Sequence, residues 1–117
     1  GFVQAPDAGT ILVPDYDGNG MYRTWGNVGV NPAIALLFID FERPKRLRVL
    51  GRATVAPVPG DATGFPGAVF LVTIAVSTVF PNCPRYIHPM RLEAHSEFTP
   101  RVGQTPPVPG WKRNPLF

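Results

Sequence analysis

Apolar positions in this chain fall into short runs that have the length and composition of β-strands. The runs are rich in aliphatic and β-branched residues, and they end at proline, glycine or charged residues. Residues 2–4 form the expected hairpin partner of the first run, across a turn at residues 7–9. The predicted strands cover residues 10–13, 33–41, 46–55 and 68–80.

Two of these strands differ in how their side chains are distributed. Residues 33–41 are almost continuously apolar, which predicts a strand buried on both faces. Residues 46–55 alternate, so that residues 47, 49, 51, 53 and 55 share one face. Arg46, Arg48 and Arg52 lie on the other face. This pattern predicts a barrel strand with a basic outer or ligand-facing side.

One short helix is predicted over residues 19–30. Met21, Tyr22, Trp25 and Val28 recur at spacings of three and four, which gives the helix one apolar face. Three glycines weaken it, and the Asn-Pro pair at residues 31–32 stops it.

The remaining segments are rich in proline and glycine, with 15 prolines and 12 glycines in 117 residues. Residues 56–67 are predicted to be a loop, and residues 100–117 an extended proline-rich tail anchored by Trp111. A hydrophobic content of 44% suits one packed domain, so residues 1–117 are expected to form a single unit.

Charge and cysteine content narrow the functional classes. The net charge of +3, without a long basic run, argues against a nucleic-acid partner. The longest apolar run, residues 68–76, is too short for a membrane helix, and residues 1–4 show no signal-peptide pattern. The single cysteine, Cys83, fits a reducing compartment and predicts a cytoplasmic location. The lack of an initiator methionine is compatible with a start inside a longer protein.

Three segments could carry chemistry, although each also has a purely structural interpretation. Residues 14–22 join a strand to a helix and could hold a phosphate, or could be a plain turn. The arginines of residues 46–52 could supply countercharges, or could form a solvated face. Residues 82–86 place a thiol, a guanidinium and a phenol in one stiff loop. A lone cysteine is more often a small buried hydrophobe than a nucleophile.

No motif for catalysis by side chains alone is visible, and no catalytic residue is assigned. His88 and His95 stand beside one cysteine without metal-ligand spacing, so no metal is expected.

In order and spacing, the segments 15–22, 36–42 with 46–51, and 80–88 together resemble the FMN-binding proteins related to pyridoxamine 5′-phosphate oxidase. The resemblance implies an antiparallel split β-barrel with short helices, a homodimer, and two FMN sites that each draw on both chains. It places Asp15 and Tyr16 along the flavin ring, Asn19 and Met21 near the phosphate, and Arg46 against the flavin. Arg48, Cys83 and Arg85 complete the expected cofactor-binding set.

The chain departs from the family pattern at three points. Gly20 and Met21 stand where the oxidase has an Arg-Lys pair for the phosphate, so Arg85 or Arg48 must supply that charge. An N-terminal hairpin of full-length relatives is expected to be missing. A C-terminal Arg-x-His signature is also absent, so pyridoxamine phosphate is not assigned as the substrate.

The resemblance implies an FMN-dependent oxidoreductase with an unknown substrate and electron donor. A second hypothesis is a flavin-binding sensor or storage module without turnover. A third keeps the split barrel and replaces FMN by the deazaflavin F420, as in a reductase. A binder of single-stranded nucleic acid, with Tyr22, Trp25 and Tyr86 as stacking platforms, is the least favoured hypothesis.

Overall fold

The computed structural model describes residues 2–58 and 64–116, which form one antiparallel sheet and one α-helix. Its elements are β1 (Gln4–Asp7), β2 (Thr10–Tyr16), α1 (Arg23–Val30), β3 (Ala33–Asp40), β4 (Lys45–Pro57), β5 (Ala68–Asn82) and a 3-10 helix (Gly110–Arg113). The strands lie in the order β1-β2-β5-β4-β3, so β1 and β3 are the edges of the described sheet. The predicted mainly β, antiparallel fold class is confirmed.

The core lies on one face of the sheet, beneath α1. Ala53 on β4 and Val72 and Ile74 on β5 are buried there, and they pack against Val28 of the helix. Alternate residues of each strand point to this face. Directly paired residues on neighbouring strands also point the same way, so the apolar residues of β4 and β5 meet on one side of the sheet. The alternation predicted for residues 46–55 is therefore confirmed, within a strand that is longer at both ends.

β2 and β5 both continue through prolines that were expected to end them. β1 pairs only with residues 10–12 of β2, so Pro14 lies beyond that ladder and its missing N–H costs nothing on that side. Pro81 pairs with Leu47 of β4, while the pairing of β5 with β2 stops at Ala75. Each proline thus occupies a stretch where only one side of the strand is paired among the described residues.

The prediction that residues 33–41 are buried on both faces was wrong. β3 is an edge strand in which partly buried and exposed residues alternate. Ile34 and Leu36 pack against the core, whereas Leu37 on the opposite face is 46% exposed. An apolar composition indicates that something covers a strand, but it does not say whether the cover lies within the same chain.

The helix is shorter than predicted because its first four residues adopt other conformations. Gly20 has a φ of 73°, and Tyr22 has a φ of 45°, so both lie in the left-handed region. A right-handed helix cannot pass through these residues, and α1 starts at Arg23. Trp25 and Val28 face the core as predicted, while Met21 is exposed and lies outside the helix.

The predicted loop of residues 56–67 lies partly outside the described residues, as do Gly1 and Phe117. On either side of that loop, β4 ends at Pro57 and β5 begins at Ala68. The tail was predicted to be extended, but it starts with a turn closed by the bridge of Arg101 with Gln104. It then runs without regular structure through residues 105–109 to a 3-10 helix at Gly110–Arg113, which contains Trp111. Within the described ranges, no helix has the length and apolar character needed to cross a membrane.

Gly51 sits where β4 passes close to the backbone of β5. A Cβ atom at this position would lie 2.4 Å from the backbone oxygen of Ala75 and 2.9 Å from Cγ2 of Ile74. The pairing shifts by one residue immediately beside it, because Leu50 pairs with Thr78 while Gly51 pairs with Val76. Ser77 is therefore bulged out of the ladder, and its hydroxyl donates to the backbone oxygen of Leu50 at 3.1 Å.

We expect Gly51→Ala to lower the free energy of unfolding by about 1–3 kcal/mol, since the methyl group meets backbone that cannot move alone. The matched control is Gly26→Ala in α1, where a new Cβ meets no atom within 4 Å. There the helix propensity of alanine should raise stability by about 0.5–1 kcal/mol. Urea denaturation of both variants measures the contrast, and equal stabilities would contradict the close approach at Gly51.

Candidate functional site

Residues 15–16 and 18–25 line a cleft at the end of β2 where the chain turns into α1; we call it the loop cleft. Its volume is about 370 Å³. Four of the predicted site residues, Asp15, Tyr16, Asn19 and Met21, line it together. These four predicted residues therefore lie together, and Asn19 and Met21 belong to the loop and not to the helix.

The shape of the loop cleft depends on local backbone geometry. Asn19 Oδ1 accepts a hydrogen bond from the Met21 backbone N–H at 3.1 Å, which closes a tight turn. The ring of Tyr22 packs edge-on against Phe70 of β5, with 5.3 Å between the ring centroids. No side chain caps the start of α1. The backbone N–H groups of its first turn therefore have no intrahelical acceptor and no side-chain cap.

Asp15 and Tyr16 give the loop cleft its polar character. The Oδ2 atom of Asp15 is buried and has no hydrogen-bond partner among the described residues. Tyr16 packs edge-on against Phe2 at 6.1 Å between centroids, and burial raises the pKa of its hydroxyl. The Asp15 oxygen is suited to accept a hydrogen bond from a ligand donor.

The other four predicted residues form a separate group where β4 begins and β5 ends. They are Arg46, Arg48, Cys83 and Arg85. Arg46 and Arg48 point from the same face of β4, since Arg46 pairs with Asn82 and Arg48 pairs with Phe80. Arg46 donates through Nη2 to the backbone oxygen of Cys83. We call Arg46, Arg48, Asn82, Cys83 and Arg85 the arginine cluster.

Three polar atoms of the arginine cluster are buried without a partner in the part of the chain that the structure describes. They are Nε of Arg46, Nε of Arg48 and Oδ1 of Asn82. A buried polar atom left unpaired costs about 1–3 kcal/mol, so such a set is typical of a site completed by a ligand or by another chain. These three atoms offer two N–H donors and one acceptor oxygen on the same face of the sheet.

Cys83 lies at the surface beside Arg85. The Arg85 backbone N–H and then its side chain hydrogen-bond to the sulfur, and the charge of Arg46 adds to them. Together these contacts hold the pKa of the Cys83 thiol below its usual range, against a smaller opposing effect of desolvation. The thiolate is therefore favoured by fixed donors on its own loop.

The loop cleft and the arginine cluster lie at opposite ends of the sheet. Asp15 pairs with Phe70 at the start of β5, whereas Arg46 pairs with Asn82 at its end. Twelve residues of extended strand span roughly 40 Å. One chain therefore does not bring the two groups of predicted site residues together.

Sequence inspection missed two contributors. Asn82 was noted only as part of the loop after β5. It lies opposite Arg46 in the strand ladder, and this position places its Oδ1 atom, which has no hydrogen-bond partner among the described residues, in the arginine cluster. Lys112 forms an ion pair with Asp17 across 95 residues of sequence, which no local pattern signals. Over the described ranges, no group of three or more His, Cys, Asp or Glu side chains could hold a metal ion. His88 and His95 are both exposed.

No protein-family model matches the chain, and no curated protein matches it. Two solved structures of HupZ from Group A Streptococcus are similar to it. One is 22% identical with a TM-score of 0.52, and covers 68% of each chain. A second HupZ structure, of a substituted form, is 22% identical with a TM-score of 0.53, and covers 69% of this chain and 73% of HupZ. At this identity the likeness shows a shared fold, and it supports the barrel-like architecture predicted from the sequence.

We expect iodoacetamide to alkylate Cys83 at a lower pH than it alkylates a free cysteine peptide, because the lowered pKa makes the thiolate available earlier. Arg85→Ala should raise the pH midpoint of alkylation, but not as far as that of the free peptide, since the backbone N–H of residue 85 still donates to the sulfur. Intact-mass measurement of the alkylation rate against pH gives both midpoints cleanly, as the chain has one cysteine. A wild-type midpoint equal to that of the peptide would rule out this environment.

Proposed function

We propose that this protein binds FMN in a site shared between two copies of the chain, and that the flavin serves redox chemistry. The observation that carries the proposal is the unpaired set of the arginine cluster, two guanidinium N–H groups and one amide oxygen on one sheet face. The pyrimidine edge of a flavin presents both acceptor oxygens and an N–H donor. The two sets are complementary in kind.

The phosphate of FMN needs a countercharge, which this chain can supply from the arginine cluster. Arg85 stands in the stiff loop after β5, between the prolines at positions 84 and 89, and carries a guanidinium suited to bidentate phosphate binding. When bound, the flavin would accept and return electrons, while the protein positions it and sets its potential. Cys83 and Arg46 would lie at the cofactor, where their charges would influence that potential.

The distance between the two groups of site residues supports the proposed dimer. Because the loop cleft and the arginine cluster lie at opposite ends of β5, a second chain is needed to place one beside the other. Leu37, Ile39 and Phe80 surround the arginines on the same open face, and each is more than a third exposed. An exposed apolar patch of this kind is typical of an interface between subunits.

The proposal is tested first by titrating ligand-free protein with FMN and following the quenching of flavin fluorescence. We expect Arg85→Ala to weaken binding by about 1.5–3 kcal/mol, or roughly ten- to a hundred-fold, through loss of a charged hydrogen bond. Arg85→Lys should restore only part, because an ammonium lacks the fork of the guanidinium.

The matched control for that titration is Arg91→Ala, which removes the same charge six residues further along an exposed segment. If Arg85→Ala leaves the dissociation constant unchanged while Arg46→Met or Arg48→Met weakens binding, Arg85 does not belong to the site. If the wild-type protein fails to bind FMN, the proposed function is wrong.

We expect light scattering at micromolar concentration to give twice the chain mass of 12.7 kDa. Leu37→Glu should shift the protein towards the monomer and weaken FMN binding together, because it places a charge on the open face. Val30→Glu, at an exposed position of α1 away from that face, is the control and should leave both unchanged. A monomer with full FMN affinity would contradict the shared site.

Two further measurements separate the related hypotheses. The absorbance spectrum of the purified protein distinguishes FMN from a deazaflavin such as F420. Oxidation of NAD(P)H by the FMN-loaded protein, with a panel of acceptors, distinguishes an oxidoreductase from a sensor or storage module.

A further inference from the structure

The C-terminal part of the chain lies against the loop that forms the loop cleft. We call residues 106–113 the C-terminal strap. Pro107, Pro109, Trp111 and Lys112 line a groove of about 300 Å³ together with Tyr16 and Gly18. A second groove, of about 440 Å³, lies between the strap and residues 17–20. The strap and this loop are therefore direct neighbours, although they are far apart in sequence.

An ion pair fixes this contact. Lys112 Nζ donates to Asp17 Oδ2, and the Lys112 side chain is only 20% exposed. The same ammonium lies 5.3 Å from the centre of the Trp111 ring, in a cation–π contact. The described backbone hydrogen bonds of the strap are local, as in Lys112 N–H to Pro109 O. Side chains thus carry the described contact between strap and loop.

The loop beneath the strap has little to hold it in shape. Gly18 and Gly20 have open space around them, and Gly20 has a left-handed φ of 73°. The hydrogen bond of Asn19 Oδ1 is to its own turn. Gly18, Asn19 and Gly20 nevertheless line both the loop cleft and the groove beneath the strap. A restraint on Asp17 is therefore a restraint on one wall of the loop cleft.

We propose that Lys112 is a positioning residue for the ligand of the loop cleft, acting through Asp17 to hold residues 17–20 in their bound shape. The inference rests on the proposed function in taking FMN as that ligand. Lys112 does not itself line the loop cleft, so loss of its ion pair loosens residues 17–20 without removing any lining group. The consequence is faster escape of the ligand from an otherwise intact site.

The test measures the rate of FMN release from the dimer after dilution into excess apo-flavodoxin as a trap. Lys112→Met keeps the side-chain stem and removes the charge, and we expect release to become about two- to five-fold faster, as for a partly exposed ion pair. Arg113→Met removes the same charge from the neighbouring residue of the same 3-10 helix and should release FMN like the wild type. Equal rates for the two variants would overturn the inference.

Exchange of the two charges gives a sharper test than their removal. The double variant Asp17→Lys with Lys112→Asp should return the release rate towards that of the wild type, whereas Asp17→Lys alone should not. Salt at about 1 M shortens the screening length to roughly 3 Å, so the ratio of the Lys112→Met release rate to the wild-type rate should fall towards one when both are measured at that salt. If the double variant releases FMN as fast as Asp17→Lys alone, the Lys112–Asp17 ion pair does not position the loop.

Hydrogen–deuterium exchange of the protein without FMN separates this inference from the proposed function. Lys112→Met should raise exchange in residues 17–21 and in the strap, residues 106–113, together, while Arg113→Met leaves residues 17–21 unchanged. If the wild type binds no FMN, the proposed function fails, and coupled exchange still supports the strap. Unchanged exchange in residues 17–21 of Lys112→Met overturns the strap even where FMN binds.

Discussion

The pairing of β4 with β5 is the constraint on which the rest of the structure depends. It runs from Arg46 with Asn82 to Pro57 with Phe70, and the other strands build outward from its two sides. β3 adds to β4, and β2 with β1 adds to β5. Because paired residues share a face, this one register decides which side chains reach α1 and which remain on the open face. The β4–β5 register therefore determines both the core on one face of the sheet and the arginine cluster on the other.

The orientation of side chains could be predicted from the sequence where apolar and polar residues alternate along a strand. Residues 46–55 alternate strictly, and their faces were predicted correctly because one side packs on a core. Residues 33–41 offered no alternation, and their edge position depends on strand order, which local composition does not encode. The helix start was missed for a different reason, since Gly20 and Tyr22 take left-handed conformations within an apolar spacing that suits a helix.

The candidate site was predicted in pieces and not as a whole. Asp15, Tyr16, Asn19 and Met21 meet because they are close in sequence, and Arg46, Arg48 and Cys83 meet because of the β4–β5 register. That the two groups lie at opposite ends of β5 depends on where β2 joins the sheet. The Lys112–Asp17 pair depends on how the tail folds back, and tail geometry is set by tertiary contacts.

The bulge at Ser77 has a consequence for changes in chain length. Deleting one residue from a regular strand turns all later side chains to the opposite face, because the side-chain period is two. β5 already contains one residue that the ladder does not use, so a deletion at or near Ser77 can be absorbed by straightening the strand. Thr78 would then pair with Leu50 directly after the pair of Val76 with Gly51, as in an unbroken ladder. Natural relatives that differ by one residue in this strand could therefore keep Asn82 opposite Arg46.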